Sequence, residues 1–393
     1  MLGNTRNHYH EIIDSIVCKT AQCLPVHGNR CPEIGHEASP YAWHYTKDFF
    51  WTESFWVGQT WLAFMLTGEP RFLHSARAHD YQQKYILGNP QAHSHDLGFA
   101  FSLSSIADYK LTGCEEARSL ALRAADIMRS RFQLHGKFIQ AWGPSSTSKE
   151  QCERASGKMI IDCMQNLPLL FWAARERGEC SFYDIAVAHA EATQKHIVRK
   201  DYSTFHCFNF DPVYGTPLKG VTHQGYSDDS CWSRGQAWAV HGFAQTYLHT
   251  GRGDFLETAA GLADYVIAHL PADAVPLWDY SLRTHEGVLE QQAFRDSSAG
   301  AITAAGLYLI AEAMEQNGQA ERSAYYRQWG DKMLGALRNY CDLTADERSL
   351  GLLSEGASHV KWGGRWANAM LPYGDYYYFE AALRGAGFRK FFW

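Results

Sequence analysis

The feature that most constrains the fold is a repeated unit: an apolar helical stretch, a turn containing glycine, then a second helical stretch charged on one face. The turns fall at Thr67-Gly68, Thr112-Gly113, Arg177-Gly178, Thr250-Gly251 and Asn317-Gly318. Glycine suits the left-handed backbone that ends a helix, and recurrence of one supersecondary unit builds a layered helical architecture. The stretches before the turns are the more apolar: Phe55 to Leu66, Leu97 to Leu111, Leu167 to Glu176, Ala237 to His249 and Ala299 to Met314, with a last one from Tyr376 to Arg384. Those after the turns begin near Phe72, Glu116, Tyr183, Phe255 and Ala320, and with His10 to Cys23 they also number six. Six buried and six half-exposed helices predict an all-α fold, an (α/α)6 barrel whose inner wall is the apolar set. A long solenoid of the same hairpins is the alternative. No Pro/Ser linker, charge block or low-complexity segment divides the 393 residues, so one domain over 1–393 is expected.

Composition narrows the function. A net charge of −6 supplies no basic field for nucleic acid. No run of 18 apolar residues exists to insert in a membrane, and MLGNTRNHYHEII lacks a basic segment followed by an apolar one, so a cytoplasmic location is expected. The ten cysteines are scattered without a CxxC, which fits reduced thiols rather than disulfides or a zinc site. With 13 Trp and 21 Tyr the chain has enough rings to fill a core and still line a cleft for sugars.

Inner helices of such a ring run parallel, so all their N-termini open at one end. The segments there are WTESFW (51–56), HSHDLGF (93–99), MIIDCMQN (159–166), SRGQAW (233–238), RDSSAG (295–300) and YGDYYY (373–378), each with an ionisable group. Long loops feed the same end, Gln140 to Lys158 and Asp201 to Arg234, and FHCFNFDPVYGTPLKGVTHQG within the second alternates like a small hairpin turned by Pro212 and Gly215. Asp162 and Asp96 are the carboxylates set in the most apolar surroundings at this end. Burial and a second carboxylate raise a pKa whereas a helix N-terminus lowers it, so the residues alone leave open which acid is protonated. His95, His206 and His223 lack the spacing of a metal site and suit hydrogen bonding, so no cofactor or metal is expected. Trp142 and Trp238 could floor a sugar site. Arg234 is a candidate bidentate clamp for a substrate carboxylate, with Lys361 and Arg365 a weaker cationic pair.

The motifs HDLGF, IQAWGP, IIDCMQNLPLLFWA, FDPVYG, THQGYSD, WSRGQAWAVHGFA, FRDSSAGAITAAGL and YGDYYYFEAALR resemble, in order from about Asp48 to Arg384, those of the unsaturated glucuronyl hydrolases of glycoside hydrolase family 88. The resemblance implies an (α/α)6 barrel acting on oligosaccharides left by polysaccharide lyases, whose non-reducing end is a C4=C5 unsaturated uronic acid. By motif position it makes Asp162 the general acid/base and Asp96, after His95, its partner. Trp51, Trp142, His206, Gln224, Arg234 and Trp238 would line the site of the unsaturated sugar. Ser54 and Val57 stand where the family pattern leads one to expect Gly and Pro. The segment ASHVKWGG, with Ser358 and Lys361, lacks a paired-serine pattern, which leaves sulfated substrates open. The implied chemistry protonates an enol ether at C4 and adds water at C5, so no nucleophile attacks the anomeric carbon. Rival readings are an unsaturated rhamnogalacturonyl hydrolase with the same barrel and a non-catalytic sugar-binding toroid.

Overall fold

The protein is described by a computed structural model covering residues 2–36, 39–46, 50–143, 155–283, 293–360 and 366–393. The inner helices are Glu53–Thr67, 97–112, Leu167–Arg177, Ser233–Thr250, Ser297–Gln316 and Pro372–Gly385. Outside them lie Leu2–His27, Pro70–Arg77 continued by Asp80–Gly88, Glu115–Ser130, Cys180–His196, Gly253–His269 and Ala320–Tyr340. Each inner helix packs on the next, and the sixth returns to the first. The ring is closed, as the (α/α)6 reading expects, and the open solenoid is excluded.

The turn chemistry follows the sequence. Gly68, Gly113, Gly178 and Gly251 end inner helices at φ of 67°, 76°, 66° and 67°, a left-handed conformation that costs other residues. Ser297–Gln316 ends at Asn317, followed by Gly318 at φ 73°. The inner helices are apolar on nearly every face because they touch neighbours on both sides and outside. The helix Ser297–Gln316, for example, is buried from Ser297 through Ala311.

Among the described residues a π-turn and three small sheets depart from a plain helical ring, two of them two-stranded (Pro32–His36 with Ser39–Tyr45, and Phe132–Gln133 with Phe138–Ile139). The second inner helix carries a π-turn over Ser102–Ile106 in mid-course, with all five of its residues buried. The expected hairpin forms from Cys207–Phe210 and Pro217–Val221, with Gly215 at φ 65° in its turn, but a third strand, Lys158–Ile160, pairs with its first. That strand is too short to show a period of two in sequence. Ser54 and Val57 lie buried inside the first inner helix.

One glycine sets how closely two cleft segments approach. A Cβ on Gly98 would lie 2.3 Å from the Asn166 Cα and 2.5 Å from its carbonyl oxygen. Gly98→Ala is expected to destabilise the fold by at least about 1–3 kcal/mol through overpacking. The control is Gly335→Ala in an outer helix, where nothing lies within 4 Å of the new methyl, and there the melting temperature should hold or rise. Equal melting temperatures for the two variants would contradict this account.

Candidate active site

Strand register places the first acid. Lys158 pairs with Asn209, Met159 with Phe208 and Ile160 with Cys207, and the Ile161 amide donates to the His206 carbonyl at 3.0 Å. Asp162 therefore leaves the strand, in a 3-10 turn over Ile161–Gln165, beside His206, whose Nε2 lies 3.6 Å from Asp162 Oδ1. Cys207 pairs in turn with Val221, which brings the backbone N–H groups of His223 and Gln224 to His206 Nδ1 at 3.2 and 3.0 Å. A nitrogen accepting two N–H groups has no room for a proton. His206 is thus neutral, protonated on Nε2, and burial lowers its pKa further. Burial alone would raise the pKa of Asp162, but the His206 ring and the positive potential of His95 and Arg234 hold it below the ordinary carboxylate value.

The second acid has the opposite setting. Asp96 immediately precedes the helix starting at Leu97 but does not cap it. Ser94 Oγ donates to its Oδ2 at 3.0 Å, and His95 Nε2 lies 3.1 Å from Oδ1. His95 Nδ1 sits 3.0 Å from the Ala141 carbonyl, which can only accept, so Nδ1 carries a proton. The Nε2–Asp96 approach is an ion-pair distance without an aligned hydrogen bond, so His95 acts on Asp96 through its charge. Burial raises the pKa of Asp96; His95 opposes this and the charge of Asp162 adds to it. One carboxylate faces a neutral N–H donor and the other is raised by burial and by the charge of the first, so their affinities for protons are driven apart.

Around the acids the loops are tied by buried polar groups. Arg131, directly after the outer helix Glu115–Ser130, donates to the carbonyls of His93, Gln140, Ala141 and Gly143 at 3.0, 3.1, 3.2 and 2.9 Å. It thereby positions Trp142, which is half-buried with its ring 6.0 Å from His95 and 5.6 Å from His223. Trp51, also half-buried, stacks on Tyr373 at 5.1 Å and so joins the first and sixth inner helices. Trp238 is wholly buried against Phe99 and Tyr377, at 5.3 and 5.5 Å, and offers no open face to a sugar. Gln224 Nε2 donates to the Ser358 carbonyl and to His359 Nε2, both at 3.1 Å, and Ser358 Oγ meets His359 Nδ1 at 2.8 Å.

Arg234 is less available than a clamp would be. It is 1% exposed; its NH1 group donates to Asp296 Oδ2 and the Ala357 carbonyl, both at 2.7 Å, and its NH2 group to the Ser358 carbonyl at 3.0 Å. Its main structural work is to hold the segment carrying Ser358 and His359 onto the helix start that Asp296 caps. Lys361 and Arg365 lie outside the described residues. Sequence reasoning does not single out Asn166, Arg131, Asp296 or His359. His359 stands inside ASHVKWGG, and its pKa is pushed down to about 4 by burial and by Arg234, His223 and His206. Among the described residues no group of three or more His, Cys, Asp or Glu side chains has the geometry of a metal site.

The family model of Glycosyl Hydrolase Family 88 matches residues 29–379. The chain belongs to glycoside hydrolase family 88. This family 88 member is 36% identical over 367 residues to the unsaturated glucuronyl hydrolase of Bacillus sp. (strain GL1), with 93% of each chain covered. It is also 36% identical over 340 residues to the unsaturated chondroitin disaccharide hydrolase of Streptococcus pneumoniae (strain ATCC BAA-255 / R6), covering 85% of this chain and 81% of that one. The crystal structure of the Bacillus sp. GL1 enzyme superposes with a TM-score of 0.87 at 35% identity over 96% of both chains. The family 88 chain is accordingly a glycoside hydrolase built on the (α/α)6 toroid, and the expected hydrolase class and fold stand.

The His206 contact has a measurable consequence. Replacing His206 by Phe removes the N–H that faces Asp162 but leaves the burial, so the Asp162 carboxyl should titrate at higher pH than in the parent. A carbon-detected NMR titration of aspartate carboxyls reads this directly. A pKa unchanged or lowered in His206→Phe would show that His206 does not set the charge of Asp162.

Proposed function

We propose that this family 88 hydrolase, acting as one catalytic domain over 1–393, releases the Δ4,5-unsaturated glucuronic acid at the non-reducing end of lyase-generated, glycosaminoglycan-type oligosaccharides by hydrating the C4=C5 bond. The observation that carries the reading is the pair of carboxylates with opposite settings, Asp96 raised by burial beside His95 and Asp162 held below the ordinary value beside the His206 Nε2–H. Its relatives support the substrate class: a structure from Streptococcus agalactiae at 27% identity and a TM-score of 0.78 is complexed with dGlcA-GalNAc6S, and an Asp-to-Asn variant of a relative was crystallised with dGlcA-Glc-Rha-Glc.

In this mechanism the resting proton lies between Asp96 and His95. The incoming substrate brings its own carboxylate, whose charge raises the pKa of Asp162, and the proton passes to Asp162. Asp162 then protonates C4 of the enol ether, and positive charge spreads over C5 and the ring oxygen. The Asp162 carboxylate, steadied by His206 Nε2–H, next takes a proton from the water that adds at C5. The resulting hemiketal opens and expels the neighbouring sugar, so glycosidic cleavage follows from hydration. Trp51 and Trp142 offer half-buried rings to the sugar. Trp238 and Arg234, whose Nε1 and Nε donors lie buried with no acceptor among the described residues, are assigned to the wall behind the sugar rather than to direct stacking or clamping. Gln224, Ser358 and Lys361 are assigned to the same substrate site. No helix among the described residues is long and apolar enough to cross a membrane, and the nine described cysteines are all free thiols. Free thiols fit the cytoplasmic location proposed for the enzyme, and the net charge of −6 favours an oligosaccharide partner over nucleic acid.

The test is a panel of unsaturated disaccharides from chondroitin, hyaluronan, heparin, gellan and rhamnogalacturonan, followed by loss of the ultraviolet absorbance of the conjugated double bond with chelator present. Turnover of a glucuronyl member is expected; turnover confined to the rhamnogalacturonyl member, or none with folded protein, would sink the proposal. Asp162→Asn should keep substrate binding yet lose about 10²- to 10⁴-fold in kcat, because an amide cannot donate the proton. Asp96→Asn should be impaired with a shifted pH profile. If instead Asp162→Asn keeps a tenth of kcat and Asp96→Asn is inert, the two roles are reversed.

A further inference from the structure

Among the described residues three arginines are buried, Arg131, Arg234 and Arg384. Two are matched by a carboxylate, Arg234 by Asp296 and Arg384 by Glu380, each at 2.7 Å. Arg131 is not. Its four hydrogen bonds all end on neutral carbonyls, Nε on Gln140, Nη1 on His93, and Nη2 on Ala141 and Gly143, and it forms no ion pair with a described residue. Burying a cation without a counter-ion is costly, and a neutral side chain could tie a loop without that cost. Burial pushes the Arg131 pKa down to about 10, opposed by Cys163 and then Asp96, so the guanidinium is still charged near neutral pH.

The bonds of Arg131 place that charge behind the first acid. His93 stands three positions before Asp96 (96 − 93). The Ala141 carbonyl, which receives Arg131 Nη2 at 3.2 Å, also receives the backbone N–H and the Nδ1–H of His95, both at 3.0 Å. One carbonyl thus joins the guanidinium to the residue beside Asp96. The groups that face Asp96 are His95 and Ser94 from its own segment, Asp162 and Cys163 from the 3-10 turn, and Arg131 from beyond the outer helix Glu115–Ser130. Burial raises the pKa of Asp96; His95 lowers it, Asp162 raises it, and Ser94 and Arg131 lower it. Cys163 is neutral, because burial holds its thiol well above the ordinary value. His189, which accepts the Ile139 amide on Nδ1, is neutral too, its pKa lowered by burial to about 3.

We propose that Arg131 is a positioning residue of the cleft with two separable functions: its planar fork fixes the 140–143 loop and with it Trp142, and its charge is the fixed counter-ion of Asp96. Four carbonyls hold the guanidinium in place, so its charge stays constant while protons move in front of it. It limits how tightly a buried Asp96 keeps a proton, which lets that proton pass on to Asp162. The inference rests on the assignment of the two acids to the reaction, but its first test is read on the enzyme without substrate.

That test is a carbon-detected NMR titration of Asp96 in the parent, Arg131→Gln and Arg131→Lys, followed by kinetics on an unsaturated disaccharide. Arg131→Gln removes the charge, so Asp96 should titrate at a pH about 1 higher and kcat should fall about tenfold. Arg131→Lys keeps the charge but loses the fork, so Asp96 should titrate within about 0.3 of the parent while KM rises about threefold or more through a loosened Trp142. A staple with no electrostatic part would leave the Asp96 titration alike in all three proteins. That result, or an equal displacement in both variants, overturns the proposal. Should Arg131→Gln fail to fold, Arg131→Lys still decides, because a displaced Asp96 titration in a variant that keeps the charge also overturns it. Absence of turnover by the parent would count against the assigned reaction, whereas the titration judges Arg131 by itself.

Discussion

The separation of the two acids depends on one amide side chain. Asn166 Oδ1 accepts the Phe99 amide at 2.6 Å, at the start of the helix behind Asp96, and Asn166 Nδ2 donates to the Asp162 carbonyl at 3.0 Å. Gly98 lets the two backbones close to a distance that any side chain would prevent. Asn166 is wholly buried, so neither bond competes with water, and losing one would leave an unpaired polar group at a cost of about 1–3 kcal/mol. Two segments 66 positions apart in sequence (162 − 96) are thereby held as one rigid unit, which is what a proton transfer between their carboxylates requires.

The strands do for orientation what Asn166 does for distance. A one-residue slip between Ile160 and Cys207 would turn Asp162 away from His206, and a slip between Cys207 and Val221 would take the His223 and Gln224 amides from Nδ1. Both ladders must be in register for His206 to present a proton to Asp162. The ring supplies the foundation and the small sheet the aim, which is why a mainly helical protein spends three short strands at its cleft.

What could be read from sequence divides along the same line. The helices were legible because the inner ones are apolar and four of them end at a glycine whose left-handed backbone leaves a local signature, Gly68, Gly113, Gly178 and Gly251. The cleft segments were legible as a set because parallel inner helices share an end. Partner choice was not. WSRGQAW does not reveal that Arg234 is already committed to Asp296, 62 positions away (296 − 234), nor does RSRFQLHG mark Arg131 as the staple of the 140–143 loop. The protonation of Asp96 and Asp162 was equally hidden. It is set by the tautomers of His95 and His206, and these depend on the Ala141 carbonyl and on two backbone amides, groups that carry no residue identity at all.

That hidden layer bears on selectivity in the proposed reaction. A free enzyme in which Asp162 is ionised is poorly set to protonate an alkene, so in the proposed reaction the proton must pass from Asp96 and His95 to Asp162 once substrate is bound. The charge that raises the pKa of Asp162 is the uronate's own carboxylate; an otherwise similar neutral sugar would fill the cleft without loading the acid. Discrimination between uronates and neutral sugars would then appear in kcat as well as in binding, because the substrate group enters the energetics of the chemical step itself. Arg234 fits this arrangement better as a buried cation balanced by Asp296 than as a free clamp. A guanidinium pairing directly with the substrate carboxylate would cancel the charge that has to reach Asp162, whereas one already balanced by Asp296 leaves most of that charge to act.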